Sequence, residues 1–175
     1  MDENEYNHED QDRPRYRRPE EIGSSEIRNG LRKLQLFWDD PFLRVQALNL
    51  ELVDQFIMGL EYALLKKLHE EERTPIPDSV FVLAQSQMWI FGAYELMRTW
   101  RQRAREIIKW SENSGLESKL KVFEKDQGFL HFGRQFRAEQ IRRVLADASI
   151  VDAIRTDLRL THILFARIEA IRVAL

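Results

Sequence analysis

DSVFVLAQSQMWIFGAYELMRTWRQRAREIIKWSE, residues Asp78 to Glu112, contains no proline and a single glycine. Between Val80 and Met97 its clearly polar residues are Gln85, Ser86, Gln87 and Glu95, so this half is apolar nearly all the way round. A helix of that kind is expected inside a shell of neighbouring helices. Beyond Arg98 the apolar positions narrow to the row Trp100, Ala104 and Ile107, with Arg101, Arg103, Arg105 and Lys109 around it. The second half therefore reads as a partly exposed extension of the same helix. At 1.5 Å per residue the whole element is about 50 Å long. Its start is marked by Pro75-Ile76-Pro77, which cannot continue a preceding helix, and by Asp78, a good N-cap side chain. The apolar run Met88 to Ala93 is too short for a membrane span, which needs about 20 residues, so no membrane role is indicated.

Working outward from this helix, residues 43–72 repeat apolar side chains at threes and fours (Leu50, Val53, Ile57, Leu60, Leu64, Leu68) and predict a second long helix. Asp39-Asp40-Pro41 stands before it as the end of one element and the start of the next. A short helix capped by Ser24 or Ser25 carries Ile27, Leu31, Leu34 and Leu36. On the other side, residues 116–125 predict a short helix with Leu120 and Phe123 inward, and residues 126–133, DQGFLHFG, a loop whose aromatics plug one end of a bundle. Residues 134–146 resume helically. Ser149 with Asp152 resembles a capping arrangement for one last helix reaching Leu175, with Val151, Ile154, Leu158, Phe165 and Ile168 on one face. That helix carries no C-cap signal, so a chain continuing past Leu175 is expected.

Seven glycines and five prolines in 175 residues are too few for many turns, and together with these periods they predict an all-α bundle of four to five helices. Residues 1–22 (MDENEYNHEDQDRPRYRRPEEI) have almost nothing to bury and are expected to form a disordered charged tail, with one bundle domain over 23–175. The absence of cysteine excludes disulfides and thiolate metal sites, and with no signal peptide it points to an intracellular, cytoplasmic protein.

The net charge of −2 divides unevenly, about −8 over residues 1–97 and +6 over 98–175. Mutual neutralisation of the two halves is the simple explanation. An RNA partner for the basic C-terminal half is the sharper one, loosely supported by Trp100 and Trp110 among the basic residues.

Motifs of catalysis are mostly missing. The sequence holds no glycine-rich phosphate loop, no G-x-S-x-G and no His-Glu-x-x-His, and Glu-x-x-His occurs only at Glu5 and His8, so no metal and no cofactor are indicated. Two constellations remain. Glu95 and Arg98 lie three apart on the central helix, where an acid on an enclosed face needs a partner; they are expected as a buried polar network that Tyr94, Arg101 and Gln102 extend.

The second is Arg155 and His162 in RTDLRLTH, an arginine and a histidine separated by six residues. This spacing resembles the ribonuclease signature of the HEPN (higher eukaryotes and prokaryotes nucleotide-binding) superfamily, helical bundles that are often dimeric toxins or antiviral effectors. The resemblance covers these eight residues. It implies that Arg155 would stabilise charge developing on a phosphate, aided by neighbours such as Arg159, while His162 would move a proton or bind the scissile phosphate, without a metal. Thr156 stands where many members carry a polar residue directly after the arginine. On a continuous helix the two side chains would share one face about 10 Å apart.

The sequence thus supports first a protein-interaction or self-association module, with a protein partner or a homodimer, then a metal-independent ribonuclease, and third a nucleic-acid-binding module without catalysis. Deleting residues 1–22 is expected to leave the melting temperature unchanged in a thermal denaturation scan, because that segment has little apolar surface to contribute.

Overall fold

The computed structural model describes residues 23, 25–125 and 132–174; the expected tail over 1–22 and most of the expected aromatic loop lie outside them. The fold is all-α. Seven helices occur among the described residues: α1 (Glu26–Arg32), α2 (Pro41–Glu71), α3 (Ile76–Glu112), α4 (Leu116–Glu124), α5 (Phe132–Ala146), α6 (Ser149–Leu160) and α7 (His162–Ala174). The count exceeds the expected four to five because the short segments α1 and α4 stand as helices of their own and the final helix is broken at Thr161. The first helix is also shorter than expected, stopping at Arg32 and leaving Leu34 and Leu36 in a loop. No helix among the described residues is long and apolar enough to cross a membrane.

The base of the molecule is organised around the loop 33–40. Leu36 and Phe37 insert into the core, and Leu36 adopts a left-handed backbone conformation, φ 61°. A buried loop has backbone groups that water cannot reach, so side chains must satisfy them. Three helices do so. Asp157 of α6 accepts from the Gln35 amide at 2.7 Å, Trp100 Nε1 of α3 donates to the Gln35 carbonyl at 2.9 Å, and Gln140 Nε2 of α5 donates to the Leu36 carbonyl at 2.8 Å. Burial raises the Asp157 carboxyl above the usual range against the opposing effect of that amide bond.

Asp40 ends the loop and caps α2, its Oδ1 accepting from the amides of Phe42 and Leu43 at 2.9 and 3.3 Å. The same buried carboxylate pairs with Arg103 of α3, and Asp39 beside it pairs with Arg143 of α5. Around this framework Trp100, Ile107, Ile141 and Ile154 are almost fully buried, with Leu43, Ala47, Leu96 and Ala104 completing the centre. The row Trp100, Ala104, Ile107 is therefore the most enclosed part of α3, although the sequence suggests a partly exposed extension.

The other half of α3 is the reverse case. α2 and α3 pair antiparallel, with Trp89 Nε1 donating to the Leu50 carbonyl at 3.0 Å and Lys67 pairing with Asp78 at 2.6 Å near the hairpin tip. Asp78 thus serves as an ion-pair partner, while Pro75 occupies the N-cap position. Between residues 52 and 92 only Ile57, Pro75 and Val82 are buried, so among the described residues the distal half of the hairpin is two helices covering chiefly each other. Of the all-round apolar half of α3, Ala93, Tyr94, Leu96 and Met97 are buried, whereas the part up to Gly92 is not enclosed by other described residues. Nor do Ser149 and Asp152 cap α6: Asp147 accepts from both the amide and the hydroxyl of Ser149 at 2.9 and 2.6 Å, which holds its carboxyl below the usual range.

Asp40→Ala removes the α2 cap and leaves the half-buried Arg103 unpaired, and is expected to cost about 3 kcal/mol in urea denaturation. Asp40→Asn, which keeps the cap and loses only the charge, should recover part of that loss.

Candidate functional site

The side of α3 facing α7 gathers most of the residues that the sequence singles out. α7 runs antiparallel to α3 and is fastened by a column of four side chains. The Arg172 guanidinium lies 4.3 Å from the Tyr94 ring centroid, Tyr94 stacks on Phe165 at 5.3 Å, and the Arg101 guanidinium lies 4.9 Å from the Phe165 centroid. A stacked ring pair with a cation over each end is held by attraction of the cations to the ring quadrupoles while burying apolar area. The Tyr94 hydroxyl also donates to Glu169 Oε1 at 3.2 Å.

Arg101 is 4% exposed, and its Nη1 donates to the Leu158 carbonyl at 3.1 Å and to Thr161 Oγ1 at 2.8 Å. The Leu158 carbonyl is the one that the amide of His162 would occupy in a regular helix, and Thr161 Oγ1 in turn donates to the Asp157 carbonyl at 2.7 Å. A side chain inserted into the i→i−4 ladder is a recognised cause of a helix break, and it accounts for the division between α6 and α7. Arg155 and His162 consequently sit on different helices, α6 and α7, on either side of Thr161.

Arg155 is engaged elsewhere. Its Nη2 donates to Glu112 Oε1 at 2.9 Å and its Nη1 to Asp152 Oδ1 at 2.7 Å, and these bonds raise the guanidinium pKa. His162 opens α7 with an exposed side chain, and neither of these Arg155 bonds reaches it. In this arrangement the positive charge of Arg155 is matched by two carboxylates.

Glu95 and Arg98 do pair, with Glu95 Oε2 accepting from Arg98 Nε and Nη2 at 2.9 and 2.7 Å. The expectation of a buried network is corrected, because the two side chains are 55% and 48% exposed. α7 covers Tyr94 and Arg101, but the adjacent row of Glu95, Arg98 and Gln102 lies beyond its edge. Gln102 bonds instead to Glu106 at 3.3 Å.

That uncovered row borders an open pocket of about 380 Å³ lined by Arg98, Arg101, Arg105, Lys109, Glu106 and Phe165, with Gln102. Arg105 and Lys109 were legible in the sequence only as solvated positions. Their relation to Arg98 and Arg101, at steps of three and four along one helix, is the signal that could have marked them as a cluster. Among the described residues no group of three or more His, Asp or Glu side chains converges as a metal site would require.

Phe165→Ala is expected to cost about 2 kcal/mol in denaturant unfolding, because it removes the centre of the column that holds α7. Glu95→Ala should leave the melting temperature unchanged, since both partners of its ion pair are in water. Comparison with family models, with curated proteins and with solved structures finds no match to this chain.

Proposed function

We propose that the chain is a self-association module whose α2–α3 hairpin pairs with the same hairpin of a second copy. The observation that carries this reading is a pair of parallel rows on one face of the hairpin. On α2 the row is Asn49, Val53, Phe56, Leu60, Ala63 and Lys67; on α3 it is Asp78, Phe81, Gln85, Met88, Gly92 and Glu95. Both advance by alternating threes and fours, the 3.5-residue period of helices that seat side chains between those of a partner helix. Grooves of about 340 and 210 Å³ open between the two rows, the first beside Val53 and Met88, the second beside Leu60 and Phe81.

The ends of both rows are polar and the middle is apolar, the plan of an interface with a dry centre and a wet rim. Phe56, Phe81 and Met88 are 54%, 48% and 68% exposed. Phe91 beside them and Val53 are also exposed, and five such side chains present on the order of 500 Å² of apolar surface. With the smaller residues of both rows the face approaches the ~800 Å² per partner of a standard interface. Two antiparallel hairpins joined by a twofold axis form a four-helix bundle, which supplies the cover that the distal half of α3 lacks among the described residues of one chain.

The ribonuclease alternative would need Arg155 to exchange Glu112 and Asp152 for a phosphate, and the expected outcome is that the full chain leaves single-stranded RNA intact on prolonged incubation without metal. Cleavage abolished by both Arg155→Ala and His162→Ala would replace the self-association reading with that one.

Light scattering on the eluting full chain is expected to give twice the chain mass at micromolar concentration. The Phe56→Glu, Met88→Glu double variant should elute at the single-chain mass with an unchanged helical spectrum, because both side chains are exposed in one copy. A wild-type chain that stays monomeric at about 100 μM, a concentration well above that of micromolar complexes, would end this reading.

A further inference from the structure

The pocket beside α7 is unusual in its charge. Arg101 is 4% exposed, and its Nη1 bonds reach two neutral oxygens, the Leu158 carbonyl and Thr161 Oγ1. Its Nε is buried with no hydrogen-bond partner, and among the described residues no carboxylate lies within ion-pair distance of its guanidinium. A buried cation without a counter-charge is costly, and the burial together with the neighbouring Arg105 lowers the Arg101 pKa.

The residues around it add positive charge. Arg105 and Lys109 line the same pocket from the next turns of α3, both exposed, and neither forms an ion pair with a described residue. Arg98, at the rim, is shared with Glu95. The one acid of the lining, Glu106, is paired with Arg137, whose Nη2 donates to it at 3.0 Å from outside the pocket, and it also accepts from the lining amide of Gln102 at 3.3 Å. Three of the basic residues of 98–175 that form no ion pair with a described residue thus lie side by side here, while Arg103 and Arg143 are neutralised by Asp40 and Asp39 at the base.

We infer that this pocket, with Arg101 at its wall and Arg105 and Lys109 at its mouth, is a binding site for a small polyanion carrying two phosphoryl groups. Each phosphoryl group brings about one and a half to two negative charges, so two of them match the three unshared cations and part of Arg98. Arginine guanidinium groups offer paired N–H donors that fit phosphoryl oxygens, and lysine adds a mobile point charge. A volume of about 380 Å³ admits a group of that size without movement of α7. One phosphoryl group alone would leave cations unmatched. A long nucleic-acid strand would need the basic track to continue, and it is interrupted by Glu95 on one side and by Glu112, bound to Arg155, on the other.

The test uses the full chain with inorganic diphosphate as probe and sodium chloride at matched ionic strength as reference. Diphosphate is expected to raise the melting temperature where chloride does not, and titration calorimetry should give a dissociation constant below ~1 mM, with orthophosphate about tenfold weaker. The Arg105→Ala, Lys109→Ala double variant should bind diphosphate at least about tenfold more weakly while melting at the wild-type temperature without ligand, whereas Lys121→Ala, on the exposed side of α4, should bind as wild type. Equal effects of diphosphate and chloride would overturn the site, and so would equal losses in the double variant and in Lys121→Ala, which would mark diffuse screening. A single-stranded RNA oligonucleotide binding about tenfold or more tightly than diphosphate would also overturn it, by assigning the cations to a nucleic-acid surface.

Discussion

A loop buried at the meeting point of four helices is the constraint on which the rest of this structure depends. Residues 33–40 carry backbone amides and carbonyls toward the core at Leu36 and Phe37, and the Gln35 amide, the Gln35 carbonyl and the Leu36 carbonyl are met by Asp157, Trp100 and Gln140 from three different helices. Each of these bonds has a direction as well as a length, so together they fix how α3, α5 and α6 stand relative to one another. Apolar packing around Phe37 and Trp100 supplies the bulk of the stabilisation, yet by itself it would tolerate small rotations of the helices. Asp40 joins the two effects, ending the loop, starting α2 and tying Arg103 to the same point.

From that base the two long helices leave in the same direction and lose their neighbours. α7 accompanies α3 as far as Tyr94 and Arg172, held by stacked rings and guanidinium groups in place of a deep apolar core. None of its residues is fully buried, so its attachment depends on the four-membered column and on Thr161. The break at Thr161 and the polar pocket beside Phe165 share the buried guanidinium of Arg101, which bonds the Leu158 carbonyl with one nitrogen and has no carboxylate partner among the described residues.

How much of this the sequence discloses depends on whether the information is local. The all-α class, the long helices, and Asp40-Pro41 as the junction before α2 follow from period, turn residues and capping chemistry, which act within a few positions of the chain. Which neighbour covers an apolar row is a tertiary fact. Val80 to Phe91 has the composition of an enclosed helix, and composition cannot say whether the enclosing surface belongs to the same chain. The exposure of Glu95 and Arg98 is of the same kind, because α7 lies along the next row of α3 and stops at its edge. The division at Thr161 was illegible for a different reason: its cause, Arg101, lies 60 positions away, so the spacing of Arg155 and His162 was read on a helix that the fold does not keep continuous.

Under the proposed pairing of hairpins, the stability of this molecule would be a property of its solution as well as of its sequence. A base stitched by directional bonds unfolds as a unit, whereas two helices joined chiefly along one seam can fray from their tip with the base intact. Where a second hairpin covers the rows of Phe56 and Met88, fraying must also break that contact, and mass action then raises the resistance of the arm with protein concentration. Dilution would loosen the arm first and the loop at 33–40 last, giving one chain two thermodynamic responses where a uniformly packed bundle would show one.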